Sequence, residues 1–283
     1  MSRLKIARQW GVASFFLGCL LAPLVAHAQK LPSDIAASKI VRVALNTGYA
    51  PLETRDPTTN VVVGFDIDLA RAMAKVLGVT IAYQDGSFEQ MTPSLQSGRV
   101  DMIMSGFYDI PRRRPFFDFI DYLRAGGQFY TLKTNADIKF ATDLCGQTVT
   151  TGRGTSYPDS IKKWSDKNCV EAGKPPIIVI TQTDFAQSLS VIQQGRAAAG
   201  VSGLEAMPST IERDNNGYRA LGEPISFTLM GMAFTKDDPT LRDAFAYALK
   251  QVIADGRYAT LIKKWRLDFC SYTEVSINQG PAP

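Results

Sequence analysis

The chain has 283 residues, 45% of them hydrophobic and 20% charged, with 22 Gly and 15 Pro. That allows a sizeable core in one or two domains and, with no long low-complexity run, excludes global disorder and a coiled coil. The formal charge is +4, from 31 Lys+Arg against 27 Asp+Glu, a mild basicity compatible with nucleic acid or membrane surfaces only if the working molecule carries it.

The first residues remove most of that charge. Arg3, Lys5 and Arg8 precede an almost wholly apolar run from Trp10 to Val25, followed by Ala26-His27-Ala28. This is the pattern of an export signal cut between Ala28 and Gln29 and directs the chain to the periplasm. A retained membrane helix fits less well, because the run is somewhat short of the roughly 20 residues a span needs and lacks a charged stop. A lipoprotein on Cys19 fits poorly with Phe16-Leu17 before it. Without residues 1–28 the chain has 255 residues, 28 basic and 27 acidic, and a net charge of +1. Nucleic acid and membrane surfaces then drop out as partners.

The one histidine, His27, leaves with the signal. A mature chain without histidine runs no Ser-His-Asp or Cys-His site and holds no His-ligated zinc. Cys145 and Cys169 suit a disulfide closing a local loop in an exported protein, worth about 3 kcal/mol in the chain-entropy model; two buried thiols are the alternative. Cys270 has no evident partner.

Along the mature chain, short β-rich runs alternate with helical segments, the α/β pattern. Residues 39–45 read as a strand, 48–51 as a turn, and 64–77 as a helix. Asp66 is its N-cap, Asp68 sits in the positive first turn, Leu69, Met73, Val76 and Leu77 form its apolar stripe, and Gly78 ends it. Residues 79–83 form a strand, 88–96 a helix and 101–104 a strand, so a largely parallel sheet is expected. The pattern restarts after about residue 125, with strands over 146–151, 177–180 and 197–201. Helices over 157–167, 184–194 and 204–213 alternate with them, and a glycine-rich turn covers 152–156. Residues 225–235 are extended and apolar, and helices over 239–254 and 258–266 follow.

If those last helices pack on the first lobe, the second is an insertion with crossings near 124–130 and 224–230, a hinge beside a cleft. Two tandem domains with a rigid interface are the alternative. The domain reading is a signal peptide over 1–28, lobe 1 over 29–125 plus 229–267, lobe 2 over 126–228, and a C-terminal tail over 268–283.

An ordered set of segments points to a family. It comprises Val-Arg-Val with Tyr49-Ala50-Pro51, Gly64-Phe65-Asp66-Ile67-Asp68-Leu69-Ala70, and Pro93 through Asp101. Arg113 before Asp118-Phe119, Gly152-Arg153-Gly154-Thr155-Ser156, Gln194-Gly195-Arg196, and Asp255-Gly256 through Trp265 complete it. Over nearly all of residues 38–267 the chain resembles the periplasmic solute-binding proteins of polar amino acid ABC transporters, family 3. The resemblance implies a periplasmic binding protein-like (type II) α/β fold, two lobes joined by two hinge crossovers around a ligand cleft. It further implies a monomer without cofactor, metal or catalytic residue. Such a protein closes on a small carboxylate-bearing, amino acid-like solute and presents itself to an inner-membrane ABC permease.

The resemblance also assigns residues. Arg113 matches the arginine that clamps the ligand α-carboxylate, for which a planar guanidinium giving two parallel charge-assisted bonds is suited. Its neighbours Arg112 and Arg114 fit a solvated charged face equally well. Thr155 and Ser156 match the residues that meet the same carboxylate from the second lobe, where a glycine-rich turn entering a helix exposes N–H donors; helix capping is the plainer role. Tyr49 resembles the aromatic over the ligand side chain and Phe88 the apolar wall opposite, and either ring also suits a core. Ser105, Gly106, Phe107 and Tyr108 match the segment under the ligand that receives its ammonium.

Two departures stand out. The small hydroxyl residue expected at 108 is Tyr108, with Ile110 beyond it, and the second-lobe acid that pairs with the ammonium aligns with Gly203, after Ala198-Ala199. A buried ammonium without counter-charge is costly. Either the ligand has no ordinary α-ammonium, or another acid, Glu205 or Asp109, supplies the charge. The expected function is therefore capture of a solute for an ABC importer. The alternatives are a cyclohexadienyl (arogenate/prephenate) dehydratase-like enzyme with Glu205 as general acid, or a ligand sensor presented to a receptor.

Overall fold

The computed structural model describes residues 30–281, so the export signal read in residues 1–28 lies outside them. In chain order the elements begin with α1 (Ser33–Ser38), β1 (Ile40–Leu45), β2 (Gly48–Tyr49), β3 (Glu53–Arg55), β4 (Val62–Val63) and α2 (Phe65–Leu77). Next come β5 (Thr80–Asp85), α3 (Phe88–Gln96), β6 (Met102–Ile103), β7 (Tyr108–Asp109) and β8 (Phe117–Ala125). The chain then crosses into β9 (Gly127–Leu132), β10 (Thr148–Gly152), α4 (Tyr157–Ser165), β11 (Ile178–Gln182), α5 (Phe185–Gln193), β12 (Ala199–Gly203), α6 (Met207–Asn216) and β13 (Tyr218–Leu221). It returns through β14 (Thr228–Thr235), α7 (Thr240–Ala254), α8 (Arg257–Lys264) and β15 (Ser271–Ile277).

Two main sheets result, one per lobe. The first runs β15-β8-β14-β6-β1-β5, with β7 beside β14, and the second runs β11-β10-β12-β9-β13. The β–α alternation makes β1 pair parallel with β5 and β6, and β10 parallel with β11 and β12. The strands that carry the chain between lobes run antiparallel: β9 against β12 and β13, β14 against β8. The two crossovers touch. The Gly127 N–H donates to Ser226 Oγ at 2.9 Å and the Ile225 N–H to the Gly127 carbonyl at 2.8 Å. A side chain at Gly126 would fall on the Ser226 carbonyl, so this approach requires glycine.

Several elements differ from the sequence reading. Gly64, not Asp66, is the N-cap of α2. Asp66 lies within the helix, fully buried, and accepts a hydrogen bond from the Tyr122 hydroxyl at 2.9 Å. The buried face of α2 is Phe65, Ile67, Leu69, Ala70 and Met73, while Val76 and Leu77 are only partly covered. The helix read over 204–213 begins at Met207, because Leu204 is tied by its N–H to the Gly126 carbonyl, leaving Glu205 in a turn. The small β2-β3-β4 sheet carries no sequence alternation long enough to read. The segment read as a tail supplies β15, which pairs with β8 at the sheet edge above the buried thiol of Cys270. Cys145 and Cys169 are disulfide-bonded. Among the described residues no helix is long and apolar enough to cross a membrane.

Candidate functional site

Parallel strands leave their carboxyl ends facing the same way, and the loops there converge on a ligand crevice. Asn46 follows β1, Ser105 follows β6, Gly152 closes β10, Thr183 follows β11 and Ser202 lies at the end of β12. All five line one space of about 700 Å³ between the lobes, part of it open to solvent. Tyr49, Phe88, Gly106, Tyr108, Arg113, Thr155 and Ser156, each assigned from sequence, line it too.

The arginine triplet separates into three environments. Arg112, half-exposed, bonds the Thr155 carbonyl at 2.8 Å and pairs with Asp159 at 3.3 Å. Arg114 is locked to buried Asp109 at 2.7 Å. Asp109 also accepts the Gly280 N–H at 2.7 Å, so it is not a free counter-charge for a ligand, which corrects one of the two acids named above. Arg113 is 8% exposed and has no acidic partner among the described residues. Its guanidinium lies 3.8 Å from the Phe107 ring centroid and donates only to carbonyls, of Tyr108 at 3.0 Å and Gly154 at 3.4 Å. Burial, and then the like charge of Arg112, brings it down to about 9, still cationic at neutral pH. A buried cation without an acidic partner at a crevice wall is chemically suited to an anion.

Across from it, Thr155 Oγ1 donates to the Gly152 carbonyl at 2.7 Å and shapes the glycine-rich turn. Ser156 is the N-cap of α4, and its side chain makes no capping bond. The Tyr157 N–H at that helix start goes to Thr155 Oγ1 at 3.4 Å and Pro158 has none, so the positive end of the helix acts on the wall mainly through its dipole. Phe88 packs on Phe107, with ring centroids 5.7 Å apart, and forms an apolar side.

The opposite end is a cluster of hydroxyls. Tyr49 donates to Glu205 Oε1 at 2.6 Å and Tyr108 to the same oxygen at 3.0 Å. The Tyr157 hydroxyl lies 2.8 Å from that of Tyr108 and 3.2 Å from that of Tyr49. Glu205 is fully buried and does not line the space, and Gly203 does not line it either. A side chain at Gly203 would fall on Glu205 Oε1 and the Tyr49 hydroxyl, so the missing side chain makes room for this arrangement. Burial raises Glu205 to about 7, against the pull of its two tyrosine donors.

Behind Gly106 lies a second acid pair. Glu53 accepts the Ser105 hydroxyl, and Ser105 Oγ accepts the Asn46 N–H at 3.0 Å. Glu53 is bonded to Asp66; burial, followed by the charge of Asp66, drives Glu53 well above the carboxylate range. Burial raises Asp66 to about 7 while the Tyr122 hydroxyl and the Gly106 N–H hold it down. This pair fixes the segment Ser105-Gly106 from beneath.

Sequence reasoning missed Tyr157, Asn46, Arg153, Asp184, Phe185 and Ser202 as lining residues. Asp184 carries the one legible signal, the cap it makes to the Gln187 N–H at 2.8 Å.

Known proteins share this fold. A family model described as bacterial extracellular solute-binding proteins, family 3, matches residues 41–268. The arginine-binding protein ArgT of Corynebacterium glutamicum is 28% identical over 251 residues, 89% of this chain and 82% of its own length. An ancestral arginine-binding protein bound to arginine superposes with a TM-score of 0.72 at 29% identity, covering 80% of this chain and 98% of that one. The ancestral amino acid-binding protein AncCDT-1, a precursor of cyclohexadienyl dehydratase, does so with a TM-score of 0.72 at 29% identity, covering 82% and 97%.

Proposed function

The chain belongs to the bacterial extracellular solute-binding proteins, family 3, and from that premise we propose that it is the periplasmic binding component of an ABC importer for a carboxylate-bearing, amino acid-like solute. The observation that carries the reading is Arg113, a buried guanidinium without an acidic partner that opens on the space between the lobes. A carboxylate there gains two charge-assisted bonds and relieves a charge the fold leaves uncompensated. Ligand contacts from both lobes exist only when they are closed, so binding shifts the population toward the closed form. An inner-membrane permease is the partner that reads that form, and the working unit is a monomer.

The site residues of this reading are Tyr49, Phe88, Ser105, Gly106, Tyr108, Arg113, Thr155 and Ser156, with Gly203 and Glu205 acting from behind the wall. The dehydratase alternative is not favoured. A general acid must reach its substrate oxygen, whereas Glu205 is screened from the space by tyrosines. Calorimetric titration with a panel of amino acids and organic acids tests the reading. One class is expected to bind with a 1:1 stoichiometry and to compact the protein in solution scattering. Affinity unchanged in Arg113→Ala sinks the site, and phenylpyruvate formed from prephenate sinks the non-enzymatic role.

A further inference from the structure

Residues 271–281 lie past the stretch that the family model matches, which ends at residue 268, yet they come back to the Arg113 region from outside the cleft. β15 runs antiparallel along β8, with Ser271 opposite Leu123 and Ile277 opposite Ile120. A strand that only covered the sheet edge could stop there. Instead Asn278 turns the chain at a φ of 58°, a left-handed conformation that asparagine tolerates. Gly280 then reaches Asp109 in β7. We infer that residues 278–280 are a strap that fastens the turn over 109–114 from behind, so that the tail positions Arg113 and sets the affinity of the cleft. This deepens the proposed function and rests on it for the affinity.

Each strap residue is bonded to the first lobe. The Asn278 N–H donates to the Phe119 carbonyl at 3.1 Å, its Oδ1 accepts the Phe119 N–H at 2.9 Å, and its Nδ2 donates to Asp118 at 2.9 Å. The Gln279 N–H donates to Asp121 Oδ2 at 3.1 Å, on the oxygen that also takes the Ser276 hydroxyl at 2.8 Å. The Gly280 N–H donates to Asp109 Oδ2 at 2.7 Å, and both residues are buried. A side chain at Gly280 would fall on the Asp109 carbonyl, so only a bare backbone closes this approach.

The strap grips the base of the site. Asp109 takes the Arg114 guanidinium as a fork, 2.7 Å to Oδ1 and 3.1 Å to Oδ2. Arg113 donates to the Tyr108 carbonyl at 3.0 Å. Each bond closes a span of five residues, and the two spans overlap. Arg113 lines the space between the lobes and Arg114 does not, so the Arg114 fork is the outer fastening of a turn whose inner side carries Arg113. Oδ2 of Asp109 serves both the fork and Gly280, which ties the two together. With Gly280 displaced, water reaches a carboxylate that is now fully buried, and a wetted ion pair holds its partners weakly. The turn then samples arrangements in which Arg113 is misplaced. A guanidinium must be aligned to give a carboxylate two parallel bonds, so only the aligned fraction binds and the apparent affinity falls with that fraction. Asn278 and Gly280 are thus positioning residues, acting on the ligand through Asp109, Arg114 and the turn.

The experiment compares the full mature chain with Gly280→Ala, with a chain ended after Ile277, and with Glu274→Ala, an exposed change on β15. Two readouts need no ligand. Hydrogen exchange over residues 109–117 is expected to quicken at least about tenfold in both strap variants while β1 exchanges as before. Modification of Arg113 by phenylglyoxal, located by mass spectrometry, is expected to quicken about fivefold as the turn opens. The third readout titrates each protein with the twenty L-amino acids. Those that bind the wild type are expected to bind the strap variants about tenfold more weakly, the size of one or two hydrogen bonds. Glu274→Ala is expected to match the wild type throughout. If the shortened chain does not fold, the milder Gly280→Ala carries the test. A strap that only stabilised the fold would quicken β1 as much as 109–117 and leave the affinity unchanged, and that result overturns the inference. So do wild-type exchange and reactivity in the strap variants. If Arg113→Ala abolishes binding while the strap variants bind as the wild type does, the proposed function stands and the inference falls. If no amino acid binds the wild type, the proposed function and the affinity claim fall together, and exchange and reactivity alone decide whether the strap positions Arg113.

Discussion

The two ends of the cleft handle the same difficulty differently. At one end, Arg113 rests on aromatic rings and carbonyls and faces the space between the lobes. At the hydroxyl end, Glu205 is screened by tyrosines and meets the cleft only through them. Arg113 stays charged below about 9, so the cost of burying it is constant over the working pH range. Glu205 changes charge within that range. One end carries a fixed charge and the other a carboxyl that titrates.

The largest expected effect tests the fixed charge. Arg113→Ala should weaken the ligand at least about 100-fold at every pH from 6 to 8, since it removes the charge and both bonds to a desolvated carboxylate. Titration at three pH values checks it. A loss confined to one pH would place the anchor elsewhere and erase the contrast.

The next effect is on stability. Glu205 rises from 4.5 to about 7 on folding. A carboxyl raised in this way stabilises the fold below its unfolded value, and that contribution is lost as pH rises through about 7. At pH 8 the ligand-free wild type therefore carries a burden that Glu205→Gln removes, on the order of 2 kcal/mol. At pH 4, below the unfolded value, the variant should gain almost nothing. Urea unfolding at both pH values reads the difference, and an equal gain at both would mean that Glu205 is not the titrating group. Gly203→Ala should cost about 1–3 kcal/mol at either pH, because its new methyl collides with Glu205 and Tyr49. Thermal unfolding shows it, together with weakened binding.

The contrast between the ends also explains what the sequence could tell. That Arg113, Thr155 and Ser156 share one wall was legible because their signals are local: Arg113 has a fixed distance to Asp118-Phe119, and Thr155-Ser156 sit in one glycine-rich turn. The α/β alternation and the return of residues 225–235 to the first lobe were legible for the same reason. The hydroxyl end is assembled from β2, β7, α4 and the turn after β12, four places far apart in the chain. No spacing records that Tyr49, Tyr108, Tyr157 and Glu205 meet. Gly203 read as a missing acid, while its physical meaning is room for another. Asp109 looked equivalent to Glu205 until Arg114 was found holding it. Likewise β15 escaped notice because an edge strand pairs on one side and needs little alternation.

The mouth of the cleft supplies the smallest expected effect and a control for the rest. Arg112 reaches from the first lobe to Asp159 at 3.3 Å and to the Thr155 carbonyl at 2.8 Å, and Arg153 reaches back to Glu89 at 4.0 Å. These contacts span the cleft, but the Arg112 and Asp159 side chains are 51% and 64% exposed. Pairs that wet are worth about 0–1 kcal/mol and fade with salt. Arg112→Ala should therefore weaken binding by no more than about threefold in low salt, through faster opening, and the deficit should shrink near 0.5 M salt, where the screening length falls to about 4 Å, close to the separation of the pair. Stopped-flow release of ligand at low and high salt checks it. A deficit above about tenfold that persists in high salt would mean that the rim, rather than the two buried ends, holds the lobes shut. The walls of the cleft would then decide which solute enters, and the rim how long it stays.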